Sequence, residues 1–332
     1  MKKNKILVTG SAGFLGGSMC FELLKNNHKV VGLDSYQNSN QTTTKKIKDI
    51  FKDSFKFYQI DLSNNPGLLN DIFIDEKPNI VIHFAAEKSV INSKDMPFHY
   101  WKNNLYSTVN LIEAMHISKC SNLIYSSSAA VYGNNINQPI KEDALLNSIT
   151  PYSNTKLASE MFIKDISKKG ELNSIILRYF NPVSSHSDQI ILEDLKDKDS
   201  TLMQEIIKTA IGINKNLKIY GSDYDTPDGT CIRDFIHVQD LIEAHFESMY
   251  IVNEIEGSIV MNVGTGQPIS VLELVKAFEN YNNIKINYIF EARRADEIST
   301  SFASVSYIKE KLGWTAKRDI KDMVIDSWKP YS

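Results

Sequence analysis

Along the first 180 or so residues, short apolar and β-branched runs alternate with stretches whose apolar positions recur at helical spacing. Residues 5–9, 29–33, 55–60, 79–84, 122–126 and 174–179 read as strands, and 14–25, 68–74, 98–116 and 152–166 as helices. Runs that are apolar nearly throughout, such as Ile80-Val81-Ile82-His83-Phe84, suit strands buried on both faces. Repeated strand–helix units with short connections predict an α/β protein with a doubly wound parallel sheet, a Rossmann-type domain.

Beyond Pro182 the pattern loosens. An acidic, polar stretch over 184–200 reads as a surface loop. Helical spacing returns at 202–213, 238–251, 271–280 and 320–328, separated by short strands near 217–220, 258–262 and 286–290. This predicts a dinucleotide-binding domain over 1–182 and a smaller mixed α/β lobe over 183–332. Some later segments are expected to return to the first domain, with substrate held between the two.

Composition narrows the classes. The 332 residues are 42% hydrophobic and 23% charged, which argues against disorder. With 37 basic and 40 acidic residues the net charge is -3, unlike that of a nucleic-acid binder. Cys20, Cys120 and Cys231 lie about a hundred residues apart with no CxxC pair, so neither a disulfide framework nor a zinc site is expected. No apolar run approaches the ~18 residues of a spanning helix. The lysine-rich start imitates a signal peptide, but its apolar run ends at Thr9-Gly10, as a buried first strand would. A cytoplasmic protein without metal, nucleic acid or membrane insertion is the expectation.

Candidate chemistry begins at Gly10-Ser-Ala-Gly13-Phe-Leu-Gly16, directly after the first strand and opening the first helix. Glycines there allow a tight turn and a close backbone approach to a pyrophosphate, which the helix N-terminus favours. Asp34 closes the second strand, 18 residues after Gly16, where a carboxylate would bond ribose hydroxyls. An acid at that position repels a 2′-phosphate, so NAD is favoured over NADP. Asp61, at the end of the third strand, is a candidate for the adenine end.

Tyr152 and Lys156 share one face at the start of a helix. A phenol of ordinary pKa near ~10 is a poor base at neutral pH unless a nearby cation favours the phenolate. Ser128 ends a strand at the edge where open α/β sheets bind ligands, and its hydroxyl suits a hydrogen bond to a substrate hydroxyl.

These segments carry a resemblance. The chain resembles the extended short-chain dehydrogenases, and within them the UDP-galactose 4-epimerases. It does so through Leu7-Val-Thr-Gly-Ser-Ala-Gly-Phe-Leu-Gly16, His83-Phe-Ala-Ala-Glu-Lys88, Ser126-Ser-Ser-Ala-Ala-Val-Tyr-Gly133, Pro151-Tyr-Ser-Asn-Thr-Lys156, Leu177-Arg-Tyr-Phe-Asn-Pro-Val183 and Asp228-Gly-Thr-Cys-Ile-Arg-Asp-Phe-Ile-His-Val238. The resemblance implies that NAD also meets Phe14, Leu15, Asn38, Leu62, Phe84, Ala85, Ala86, Lys88, Asn103, Ser126, Tyr152, Lys156, Tyr179 and Pro182. It implies that a UDP-hexose meets Lys88, Ser128, Tyr152, Asn181, Leu202, Tyr220, Arg233 and Arg294. Two arginine forks suit a diphosphate, and Tyr220 suits stacking on uracil. His237 is expected to order the loop between its strand and the next helix rather than to catalyse.

Two departures stand out. Thr201 occupies a position where the family usually has Asn. After Arg294 the usual Arg-x-Gly-Asp and bulky tyrosine are missing; counting forward puts Glu297 on the sugar-contacting acid and Ser301 on the tyrosine, while a one-residue gap would substitute Asp296. The resemblance further implies a homodimer formed through the helices holding Asn103 and Tyr152, with Leu105, Val109, Ile112, Leu157 and Met161 among the candidate contacts. Rival readings are a nucleotide-sugar 4,6-dehydratase, a UDP-glucuronate decarboxylase and a catalytically silent NAD-binding regulator. Dehydratases place an Asp-Glu pair after the catalytic hydroxyl residue, and decarboxylases usually a glutamate. Here Ala129-Ala130 cannot transfer protons. The silent proteins tend to lose the tyrosine or lysine.

Overall fold

The structure, a computed structural model, describes residues 4–135, 137–186, 188–195, 200–295 and 297–332. In chain order its strands are β1 (Lys5–Thr9), β2 (Lys29–Asp34), β3 (Phe55–Gln59), β4 (Ile80–His83), β5 (Asn122–Ser128), β6 (Asn173–Tyr179) and β7 (Asn181–Val183). They continue as β8 (Leu217–Tyr220), β9 (Ile232–His237), β10 (Ser258–Val263), β11 (Pro268–Ser270), β12 (Tyr288–Glu291) and β13 (Thr300–Ser301).

Seven of these form one sheet in the order β10-β6-β5-β4-β1-β2-β3. From β3 to β5 the neighbours run parallel, with Thr9 opposite His83 and Val8 opposite Gly32. Ile6, Leu7, Val8, Ile80, Val81, Ile82, Leu123, Ile124, Ile175 and Ile176 are essentially inaccessible. Successive residues are thus buried on alternate faces, as in a sheet with helices on both sides. The strand order reverses between β1 and β4, so the crevice at their carboxyl ends is where this architecture binds ligands.

The chain divides into two compact units, each assembled from separate segments. One comprises the residues up to Val131, Ser148–Arg178 and Ile242–Met261, and the other Tyr132–Asn147, Tyr179–Leu241 and Asn262–Ser332. The first holds most of the large sheet and helices Phe14–Lys25, Gln41–Phe51, Pro66–Glu76, Tyr106–Ile117 and Pro151–Lys168. In the second, β9 carries β11 antiparallel, and β13 and β7 both parallel, while β8 and β12 form a separate parallel pair. Val183, Met203, Ile206, Leu217, Ile219, Phe235, Leu274, Phe278 and Val324 form its core.

One predicted element differs in form. The continuous helix expected over 98–116 is instead Pro97–Tyr100, a π-helical turn at Trp101–Leu105, and Tyr106–Ile117. Ser107 Oγ donates to the Asn103 carbonyl and Thr108 Oγ1 to that of Asn104 at 3.0 Å, so hydroxyls occupy acceptors in the wide turn. Asn104 is drawn inward, accepting from Glu87 N at 2.8 Å and donating to Thr155 Oγ1 at 3.1 Å.

Candidate active site

At the switch point the glycine turn is built to close tolerances. Gly10 has φ +68°, and a Cβ there would sit 2.9 Å from the Ala85 nitrogen, while one at Gly16 would run into the Gly10 carbonyl oxygen. Gly13 caps helix Phe14–Lys25 without any side-chain hydrogen bond, so no side chain competes for the first backbone N–H groups. Asp34 accepts from Ala12 N at 3.0 Å, and from Tyr36 N and Ser39 Oγ at 2.8 Å each, tying the turn to the end of β2.

The segment after β4 closes the other side. Thr9 Oγ1 accepts from Ala85 N at 3.1 Å and lies 2.7 Å from His83 Nδ1, while His83 Nε2 lies 3.1 Å from Thr108 Oγ1. Burial first, then the charge of Lys156, lower the His83 pKa to about 3, so its imidazole is neutral. Phe84 stacks on His245 at 4.8 Å. Asn38 donates to Glu87 at 2.6 Å, and Asn103 sits in the π turn, donating to Asn104 at 3.2 Å. Asp61 shapes its own turn, accepting from Ser63 N at 2.9 Å and from Gln37 at 3.2 Å; the carbonyl of Leu62 accepts from Asn110 at 2.7 Å. The glycine turn, Asp34, Phe84, Ala85, Ala86, Lys88 and Ser126 therefore all lie at the carboxyl ends of β1, β2, β4 and β5.

The helix bearing Tyr152 and Lys156 begins early because Thr150 and Ser153 cap it reciprocally and Pro151 occupies its first turn. Lys156 is buried, donates to the Ser126 carbonyl at 2.8 Å and lies 5.1 Å from the centre of the Tyr125 ring. Burial brings its pKa down to about 8, against the opposing charge of Glu160. Burial also pushes the Tyr152 phenol up; a hydrogen bond with Ser128 and the positive charge of Lys88 act the other way. Ser128 and the charge of Lys88 thus both bear on the Tyr152 phenol, with Lys156 one turn further along the same helix; for Lys88 the sequence suggested only ligand contact.

In the second unit Arg294 lies 3.9 Å above the Tyr220 ring. Arg233 pairs with Glu297 and donates to the Ile232 carbonyl at 2.8 Å, and Ser301 on β13 stands opposite it in register. Thr201 is engaged as a helix cap: its hydroxyl accepts from Gln204 N at 3.3 Å, and its own N–H donates to the Gln204 side chain at 2.6 Å. Leu202 begins that helix and packs on the second core. Asn181 and Pro182 lie on β7 beside Phe235 and Ile236, with Tyr179 buried at the end of β6. His237 accepts from Gln239 N at 3.0 Å and meets Asp326 at 3.3 Å, ordering the strand-to-helix junction as expected. Asp296 and most of the 196–201 stretch lie outside the described residues.

Asp234 escaped the sequence reading. Fully buried, it accepts from Thr265 N and Oγ1 at 2.7 Å each, from Gly266 N at 2.9 Å and from Ala303 N at 3.0 Å. A Cβ on Gly264 would collide with this carboxylate. Strand alternation was the available signal, because Asp234 points opposite to Arg233 and so inward.

In sequence and in fold the chain matches known proteins. The sequence profile of the NAD dependent epimerase/dehydratase family aligns with residues 6–264. The chain belongs to that family. Among family members, the UDP-glucose 4-epimerase of Bacillus subtilis (strain 168) is 39% identical, over 98% of this chain and 96% of its own length. The crystal structure of the UDP-glucose 4-epimerase of Stenotrophomonas maltophila, with bound NAD and formylated UDP-arabinopyranose, superposes with a TM-score of 0.94 at 38% identity, covering 98% of this chain and 97% of that one. The UDP-Glc/GlcNAc 4-epimerase of the human pathogen Campylobacter jejuni superposes at 0.84 with 33% identity, covering 98% and 99%.

Proposed function

We infer that the protein is an NAD-dependent 4-epimerase of UDP-hexoses. The observation that carries this is the convergence of Ser128, at the end of β5, with Tyr152, whose phenol it helps to hold down against burial, with Lys156 fixed one helical turn away and only alanines following the serine. The side-chain-free helix start, the crowded glycine turn and Asp34 fit NAD, which Gly10, Gly13, Gly16 and Asp34 would hold. When bound, NAD supplies reversible acceptance of the hydride from C4 of the sugar.

Tyr152 takes the proton of the C4 hydroxyl as the C4 hydride leaves, and returns it to the C4 oxygen once the 4-keto sugar has turned over and its opposite face has received the hydride. Ser128 shares the hydroxyl's hydrogen bond. Lys88 and Lys156 favour the phenolate that makes Tyr152 a base near neutral pH. Arg233 and Arg294 are suited to the diphosphate and Tyr220 to uracil. Arg233 would exchange Glu297 for phosphate oxygens, leaving Glu297 to accept from sugar hydroxyls. Elimination of water or loss of CO₂ would need further acid–base groups beside Ser128, and Ala129 and Ala130 provide none. Incubation of the purified protein with UDP-galactose should yield UDP-glucose of unchanged mass. A product lighter by water, or no product, overturns the reading.

The acceptance of N-acetylated sugars rests on Ser301. It is half-buried on β13 and replaces a bulky ring with a hydroxymethyl group, leaving room for an acetamido substituent at C2. UDP-N-acetylglucosamine is therefore expected to be epimerised at least as well as UDP-glucose. Ser301→Tyr should abolish the first activity selectively; equal loss on both sugars would refute the placement of the pocket.

A further inference from the structure

Behind the catalytic side chains lies a buried ion pair that the reaction itself does not consume. Glu160 and Arg178 have side-chain exposures of 0% and 1%, and are joined by two hydrogen bonds, Arg178 Nε to Oε1 at 2.9 Å and Nη2 to Oε2 at 2.6 Å. Glu160 also accepts from Ser127 Oγ at 2.6 Å. Three elements meet there. Arg178 belongs to β6, Ser127 lies between Ser126 and Ser128 on β5, and Glu160 stands one turn beyond Lys156 on the Tyr152 helix. The carboxylate thus bolts the strand end carrying Ser128 to the helix carrying Tyr152 and Lys156. Burying an ion pair is a weak source of stability compared with an apolar cluster of similar volume. Stability alone is a poor reason for a charged pair at this place.

We propose that Glu160, with Arg178 as its counter-ion, is a positioning residue for the epimerase reaction, holding Lys156 in its ammonium form and Ser128 in register with Tyr152. The proposal rests on the epimerase reading above. Lys156 has few other charges to rely on. From β4 it faces His83, which is neutral, and from β5 the Ser126 carbonyl and the Tyr125 ring; its own helix presents Tyr152 and Glu160. Thr108 and Ser159, the polar groups between its helix and Tyr106–Ile117, carry no charge. On the segments 90–105 that also pack on this helix, Lys94, Asp95, His99 and Lys102 are exposed, and Lys88 acts on Tyr152. Glu160 is the negative charge that opposes the desolvation of Lys156.

The test is a pair of opposite charge changes read in the pH profile of kcat. Glu160→Gln removes the negative charge beside Lys156 while the Arg178 charge stays, so Lys156 should lose its proton earlier and the alkaline limb should move down by ~1 unit or more. Arg178→Gln leaves Glu160 negative, still bonded by Ser127 and near Lys164 at 3.4 Å, so the limb should move up. Damage to packing alone lowers kcat evenly across pH and cannot shift the limb in opposite directions. Limbs that stay in place, or move the same way, overturn the proposal. If a single variant fails to fold, Glu160→Met with Arg178→Met removes both charges; a limb moved down supports the proposal, and an unmoved limb or an unfolded protein overturns it. A wild-type protein without epimerisation would instead refute the reading on which the proposal rests. The network would then be read without turnover, from the near-ultraviolet phenolate absorbance lost on Tyr152→Phe in each background.

Discussion

In the proposed reaction a single phenol carries the chemistry, and its surroundings set when it can act. Burial raises the Tyr152 pKa, so the residue depends on Ser128 and on nearby cations. Tyr152→Phe should keep NAD bound and lose ~10²–10⁴-fold in turnover, the usual value of a general base; near-normal rates would contradict the assignment. Lys156 sets the other limit. Its pKa lies at about 8, below the ordinary lysine value, so the ammonium form prevails below that pH and is lost above it. Epimerisation should fall as pH rises through about 8, and a rate flat to pH ~10 would show that Lys156 is not the cation that matters. The placement of Tyr152 and Lys156 on one helix face and of Ser128 at a strand end was legible in the sequence, because helix spacing and strand ends follow local rules. Lys88 acting on the phenol and the Glu160–Arg178 bolt were not. Those contacts join segments far apart in the chain, and no local period records them.

Strands and helices show the same division between local and distant causes. The strands of the large sheet were readable because both faces are buried and the runs are apolar throughout. Helix Gln41–Phe51 lacked such a signal: it is rich in Thr and Lys, and only Thr44 and Ile47 are buried. The π turn at Trp101–Leu105 depends on Asn104 finding Glu87 and Thr155, partners outside any sequence window. In the second unit, Asp234 binds β9 to the 264–266 turn and to the chain just after β13. Asp234→Asn turns an amide NH₂ toward groups that are themselves donors. It should cost on the order of 2–4 kcal/mol in denaturant unfolding. Because Arg233 and Ser301 sit on the strands it joins, KM for the UDP-sugar should also rise ~10-fold while NAD binding holds. An unchanged KM would make Asp234 a matter of stability alone.

At the scale of the whole molecule, Phe98 is 91% exposed and Met161 60%, with Trp101 and Tyr106 also exposed on the helical segments that hold Asn103 and Tyr152. Of the contacts suggested by sequence, Met161 is open and Leu105, Val109 and Leu157 are partly so, whereas Ile112 belongs to the core of the first unit. Two copies joined through this face are the expected assembly. Light scattering should give twice the chain mass at micromolar concentration, and Phe98→Glu should halve it. A monomeric wild type would remove the dimer. The division of the chain has a consequence for its birth. The sheet that carries the glycine turn is closed on one side by β10, and the ring stacked on Phe84 belongs to His245, both encoded in the last third of the chain. During synthesis β6 waits as an open edge, able to pair wrongly with other chains, until Val263 has left the ribosome. The nascent protein thus carries β6 as an unpaired edge after Tyr152 and Lys156 are made and before β10 can join the sheet.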